Sequence, residues 1–208
     1  VLDRLVGSDI RRVPHGEDPA AVIETTVREL EAKGRKVFVI PVGGSNVTGA
    51  LGYRQAAQEL DAQLVSAGVE ATQIVMASGS GGTQAGLVLG TATPVLGVSV
   101  SSSEQELSDK VRGIVAEAVD THGFTEALDR KITVDDGFVG AGYGQPTEAM
   151  HEAVTMVARL EGIFLDPVYS GKAMAGLVSL ARDGALRGPV VFLHTGGSPA
   201  LFAYDDAF

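Results

Sequence analysis

The feature that most constrains this chain is an alternation. Short apolar runs rich in β-branched residues take turns with longer stretches of helical period. Parallel strands need a crossover helix between them, and strands buried on both faces read as near-continuous apolar runs. The spacing therefore predicts an α/β fold, a parallel sheet with helices on both faces. Strands are expected at Ile10–Val13, Lys36–Ile40, Ile74–Ala77, Val95–Val100, Ile132–Val134 and Val190–His194. Helices are expected at Pro19–Lys33, Thr48–Leu64, from the Ser78–Thr83 loop to Gly90, Glu104–Asp120, Thr147–Leu160 and Gly171–Arg182. Ala21, Val22, Val27 and Leu30 share one side of the first, which Gly34 stops; Leu107, Val111, Ile114, Val115 and Ala118 share one side of the fourth. Thr147 caps the fifth as a simple cap, because Met150 stands where a capping box needs an acid.

Charge and composition narrow the function classes. The net charge is −10, from 16 basic and 26 acidic side chains spread along the chain. Binding a phosphate backbone needs a clustered positive surface, so no nucleic-acid partner is expected, and no anionic membrane surface either. No run approaches the roughly 20 apolar residues of a membrane span, and no basic segment leads into an apolar core as in a secretory signal. Cysteine is absent, which removes disulfides, thiolate nucleophiles and cysteine metal sites and is compatible with the cytoplasm. The chain opens on Val1 and not Met, so either a processed terminus or a piece of a longer protein is expected, the second being favoured.

Three expected strands run into glycine and hydroxyl residues: Gly43–Asn46, Ser78–Thr83 and His194–Ser198. Parallel topology puts such ends on one edge, where open α/β sheets bind ligands. Glycine lets backbone N–H groups approach an anion closely, and hydroxyls add donors. Ser78–Thr83 is the sharpest of the three, since it leads directly into a helix N-terminus, which favours phosphate. It is no P-loop, lacking Gly-Lys-Ser/Thr, and it misses the dinucleotide fingerprint, holding Gln84 where the third glycine belongs. A monophosphate cradle is the functional reading and a plain strand–helix turn the structural one. Tyr143, among glycines in Gly140–Pro146, and Tyr169, just before a helix, are candidate site phenols that relay protons if their surroundings lower the pKa. His194 reads as a buried, hydrogen-bonded histidine, with a catalytic base as the alternative. His15, His122 and His151 read as solvated, Ser101–Ser103 as a strand end and helix cap, and no grouping has metal-ligand spacing, so no metal is expected.

Four motifs in order carry a resemblance over essentially the whole chain. They are Ile40-Pro-Val-Gly-Gly-Ser-Asn46 with Gly49–Tyr53, Ala77-Ser-Gly-Ser-Gly-Gly-Thr-Gln-Ala-Gly-Leu87, Pro167-Val-Tyr-Ser-Gly-Lys-Ala-Met-Ala-Gly176, and His194-Thr-Gly-Gly-Ser-Pro-Ala-Leu-Phe-Ala-Tyr204. Together they closely resemble the D-cysteine desulfhydrase group, which is related to 1-aminocyclopropane-1-carboxylate deaminase. The resemblance implies a tryptophan synthase β-like, fold-type-II pyridoxal-phosphate enzyme whose N-terminal part lies outside the chain. Residues 1–45 would then be a remnant of a smaller α/β domain and 46–208 a larger domain binding pyridoxal 5′-phosphate. Gly79, Ser80, Gly81, Gly82 and Thr83 look like the cofactor phosphate loop. Thr195 matches the residue facing the pyridine nitrogen, and Ser170 is placed with the cofactor-binding residues. Tyr143 and Tyr169 match the two catalytic tyrosines. Ser170 and Thr195 stand where the deaminase branch is expected to carry Glu and Leu, which implies the desulfhydrase branch.

The family's Schiff-base lysine, in a Gly-Asn-Lys segment, and its Ser-Asn-His carboxylate loop have no counterpart here. Lys33 and Lys36 flank a helix end, Lys110 and Lys131 read as surface residues, and Lys172 belongs to another motif. The resemblance implies α,β-elimination on a small sulfur-containing amino acid, D-cysteine giving pyruvate, sulfide and ammonia, by a cytoplasmic homodimer. This chain by itself is expected to be inactive. Sulfite release from L-cysteate and a deaminase-like activity are alternatives within the enzyme class. A module that binds a phosphorylated ligand without chemistry is the alternative outside it.

Overall fold

The computed structural model describes residues 2–204 and 208, and the chain divides into two compact units at Ile40/Pro41, ahead of the boundary expected at residue 45. The first unit holds a single turn, α1 (Leu2–Leu5), and one helix, α2 (Pro19–Ala32). Asp18 caps α2 by accepting the Ala20 N–H at 2.9 Å, and Pro19 fits its first position, where no N–H is needed. The strands expected at Ile10–Val13 and Lys36–Ile40 do not form. An extended run becomes a strand only when a neighbour takes up its N–H and C=O groups, and no backbone bond joins these two among the described residues.

The second unit contains the sheet. Its elements in chain order are α3 (Val47–Ala67), β1 (Gln73–Ser78), α4 (Gly82–Gly90), β2 (Val95–Ser99), α5 (Glu104–His122), β3 (Thr133–Asp135), α6 (Glu148–Glu161), α7 (Ser170–Arg182) and β4 (Val190–Leu193). The strands are all parallel in the order β3-β2-β1-β4, with Ile74 opposite Val95 and Val191. Local chemistry sets the helix ends. Asn46 caps α3 through the Gly49 N–H, Ser103 and Glu106 form a capping box on α5, and Thr147 accepts the Met150 N–H on α6.

Side-chain alternation along β1 divides the core in two. Ile74 and Met76 pack with Leu87, Leu107 and Val111 from α4 and α5, while Val75 and Ala77 pack with Ala173, Leu177 and Leu180 of α7. Each fully buried valine, leucine, isoleucine or methionine among them contributes about 1.5–3 kcal/mol through burial. The expected two-faced α/β architecture is thus present, and both central strands are buried along nearly their whole length. Among the described residues no helix is long and apolar enough to cross a membrane.

Candidate active site

Strand order locates the site. From β1 the chain moves outward to β2 and β3 and then returns to place β4 on the other side of β1. The strand order thus reverses between β1 and β4, and the crevice at the carboxyl ends of strands at such a reversal is where open parallel sheets bind ligands. Here that crevice is a cleft of about 860 Å³. The turn after β1 lines it with Ser78, Gly79, Ser80, Gly81 and Thr83, and the loop after β4 lines it with Thr195, Gly196 and Gly197. Gly43 and Ser45, ahead of α3, form another wall, and Tyr143 and Tyr169 stand at the same opening. The expected cofactor and tyrosine residues are thus brought to one sheet edge, with two exceptions described below.

The Ser78–Thr83 turn is built to meet an anion. Gly81 has φ +88° and precedes α4 with no side-chain cap, so the first-turn N–H groups of Thr83 and Gln84 have no carbonyl partner within the helix. A Cβ at Gly81 would lie 3.1 Å from Val111 Cγ2, so α5 supports the back of the turn. Ser45 ties the turn to the start of α3: its hydroxyl donates to Ser80 Oγ at 2.6 Å and accepts the Gly82 N–H at 3.2 Å. Gly82 consequently lies behind the lining and does not face the cleft. Ser78 lines the cleft, and its hydroxyl is buried with no hydrogen-bond partner among the described residues. A lone buried hydroxyl beside unpaired amides fits a phosphate-bearing ligand. Gln84 serves structure: its amide lies over Gly97 and donates to the Thr133 carbonyl at 2.8 Å, fixing the first turn of α4 on the sheet.

The tyrosines meet. Tyr143 and Tyr169 share a short hydroxyl–hydroxyl hydrogen bond, with their rings edge to face at 5.9 Å. Burial, the Tyr143 hydrogen bond and the nearby Asp166 carboxylate push the Tyr169 phenol up to about 12. A relay phenol would need a lowered pKa, so the shift here runs the other way, and Tyr169 keeps its proton at neutral pH. Its position is set by Asp166, which is fully buried and which the sequence reading passed over. One carboxylate oxygen accepts the N–H groups of Val168 and Tyr169, and the other accepts the Ser170 N–H and hydroxyl, all at 2.7–2.8 Å. A Cβ at Gly197 would lie 2.6 Å from that carboxylate, so Asp166 also backs the Thr195 loop. An acid three residues before a tyrosine that opens a helix was the available signal.

Ser170 is the second exception. It is buried, does not line the cleft, and spends its hydroxyl donating to Asp166 and accepting the Asp166 N–H at 2.8 Å. His194 is exposed where burial was expected, because β4 ends at Leu193; its ring is still hydrogen-bonded, to the Phe164 carbonyl and the Gly196 N–H. Lys110 lies on the surface as expected, yet also lines the cleft as its only charged side chain among the described residues, bonded to Ser102 Oγ at 3.3 Å. Among the described residues no group of three or more metal-ligating side chains is assembled.

Comparison with known proteins matches this geometry to a family. Residues 2–196 match the family model described as pyridoxal-phosphate dependent enzyme. D-cysteine desulfhydrase of Yersinia pestis (strain Pestoides F) is 43% identical over 194 residues, covering 90% of this chain and 58% of that protein. The same-named protein of Yersinia enterocolitica serotype O:8 / biotype 1B is 46% identical over 195 residues with the same coverage. The chain thus spans 58% of the length of these curated relatives. Among solved structures, an ACC deaminase homologue superposes with TM-score 0.83 at 36% identity, over 99% of this chain and 63% of that one. A threonine deaminase from T.th. shares the fold alone, with TM-score 0.56 at 21% identity over 93% and 64% of the two chains. From the matched family model and the fold-type-II architecture, the chain belongs to the pyridoxal-phosphate-dependent enzyme family.

Proposed function

We propose that this chain forms the cofactor-holding part of a lyase that eliminates the β-sulfur group of a small amino acid, with D-cysteine going to pyruvate, sulfide and ammonia. The observation that carries the reading is the convergence of the Ser78–Thr83 turn, Thr195 and the Tyr143–Tyr169 pair on one cleft. When bound, pyridoxal phosphate supplies an electron sink for loss of the substrate's α-proton. The residues of this chain bind, orient and hold protons around it. Amides of Gly79, Ser80, Gly81 and Thr83 and the Ser78 hydroxyl are suited to the phosphate. Ser45 and Gly82 brace that turn from behind. Thr195 offers a neutral hydroxyl where a carboxylate would hold a ring nitrogen protonated, a weaker sink that suffices when the leaving group departs readily, as sulfide does. Tyr169, protonated at neutral pH, donates at the cleft and does not act as the resting base. The relatives' names support D-cysteine as substrate.

Two further elements belong to the proposal. A homodimer fits the exposed apolar side chains of Leu160, Ile163 and Phe164 at the end of α6, and a cytoplasmic location fits the cysteine-free composition. The test has two arms. Pyridoxal phosphate added to the 208-residue chain should bind and be displaced by inorganic phosphate; binding unaffected by phosphate would overturn the cradle. The native protein should release sulfide from D-cysteine, and release of sulfite from L-cysteate with no sulfide from D-cysteine would reassign the substrate.

A further inference from the structure

Lys172 is a lysine with 0% of its surface exposed, on the first turn of α7. It makes no salt bridge among the described residues. Its ammonium donates instead to two backbone carbonyls, Val139 at 2.7 Å and Gly142 at 3.0 Å. Both belong to the loop that carries Tyr143. That loop contains Gly140, Gly142 and Gly144, all at positive φ, so it follows a path without a ladder of its own. Carbonyls turned inward from such a loop need donors, and a buried ammonium is tolerated only when hydrogen-bonded. A third tie comes from Tyr204, whose hydroxyl donates to the Gly144 carbonyl at 2.9 Å. Tyr143 thus sits between two anchored neighbours, and its hydroxyl reaches Tyr169, on the residue that opens the helix of Lys172 itself.

We propose that Lys172 is a positioning residue for Tyr143: it pins the glycine loop by two carbonyls so that the two phenols meet at the cleft. The proposal rests on reading that pair as part of the site. An apolar side chain of equal length would fill the space but leave the loop free to swing.

The test is a pH titration of tyrosine-labelled chain by NMR of the phenol carbons, assigned with Tyr→Phe variants. Tyr169 should titrate at about 12 in the parent. In Lys172→Met its midpoint should fall by roughly half to one pH unit, the scale one neutral hydrogen bond supplies. Tyr143→Phe should produce a similar fall, and the double variant should fall no further, because both changes remove the same contact. A folded Lys172→Met with an unmoved Tyr169 midpoint, or additive falls in the double variant, would overturn the proposal. If Lys172→Met does not fold, Lys172→Gln, whose shorter amide cannot reach both carbonyls, is read by the same criteria. The underlying reading fails separately: if Tyr143→Phe leaves turnover of the native protein intact, the pair is no part of the chemistry, while the titration still decides what Lys172 does.

Discussion

Replacing Gly86 by alanine should destabilise the protein although the residue lies within a helix. Gly86 is in the middle of α4, and on an isolated helix the exchange would gain about 1 kcal/mol from backbone entropy. In the fold, a Cβ there would lie 2.5 Å from Tyr53 Cβ, 3.1 Å from the Arg54 nitrogen and closer still to the Ala50 carbonyl oxygen, all on α3. Ordinary carbon contacts are about 3.5–4.0 Å, so α4 must withdraw from α3 by roughly 1 Å. Two of those three atoms are backbone and cannot rotate away. Overpacking costs about 1–3 kcal/mol, and rigid obstacles place this case in the upper half of that range. The net expectation is a loss of about 1–2 kcal/mol, or roughly 2–8 °C in Tm for a chain of this size. Gly52 on α3 provides the opposite sign: it is exposed, with nothing within 4 Å of its missing Cβ, so Gly52→Ala should gain about 0.5–1 kcal/mol. Urea unfolding followed by circular dichroism measures both. Withdrawal of α4 also displaces the Ser78–Thr83 turn, so Gly86→Ala should bind pyridoxal phosphate more weakly, and Gly52→Ala should bind it normally. Equal stabilisation by the two substitutions would refute the close-crossing argument.

Three other outcomes are expected. Ser45→Ala removes the bonds to Ser80 Oγ and the Gly82 N–H, costing about 1–2 kcal/mol and raising amide exchange across residues 79–83; an unchanged exchange pattern would count against the brace. Asp166→Asn puts an amide among the N–H groups of Val168, Tyr169 and Ser170 and should cost about 2–4 kcal/mol in urea unfolding; a loss under about 0.5 kcal/mol would mean those bonds matter little. Stability should also fall at high pH. The Tyr169 phenol ionises near 10 when unfolded but at about 12 when folded, so between those values the unfolded state binds fewer protons. Its contribution is therefore complete below pH 10 and lost as pH rises through 12. Between pH 9 and 11 the unfolding midpoint of the parent should drop more than that of Tyr169→Phe, and parallel curves would contradict the assignment.

The sequence alone determined the sheet and the edge at which its glycine and hydroxyl turns gather. Ile74–Ala77 and Val95–Val100 read as buried parallel strands because their apolar residues are continuous, and period and local chemistry suffice for such elements. The helices on either side of them were legible for the same reason, as was the placing of Ser78–Thr83 and Thr195 at one edge, which follows from strand ends in a parallel sheet. Tyr143, in a glycine loop, and Tyr169, between two helices, were linked to that edge through the family resemblance. What lies between elements was not legible. Ile10–Val13 and Lys36–Ile40 have the composition of strands, but pairing is a property of two segments, and neither finds a partner among the described residues. Ser170 and Gly82 stand in the right motifs, yet the hydrogen bonds of Asp166 and Ser45 turn them away from the cleft. The direction of the Tyr169 shift depends on burial and on a second phenol 26 residues away in the chain. Lys172 could be excluded from one role by its motif, but only the packed loop gave it another. Short-range torsions and periodicity set local geometry from the sequence, whereas the partner of each buried polar group is chosen by the tertiary fold that desolvates it.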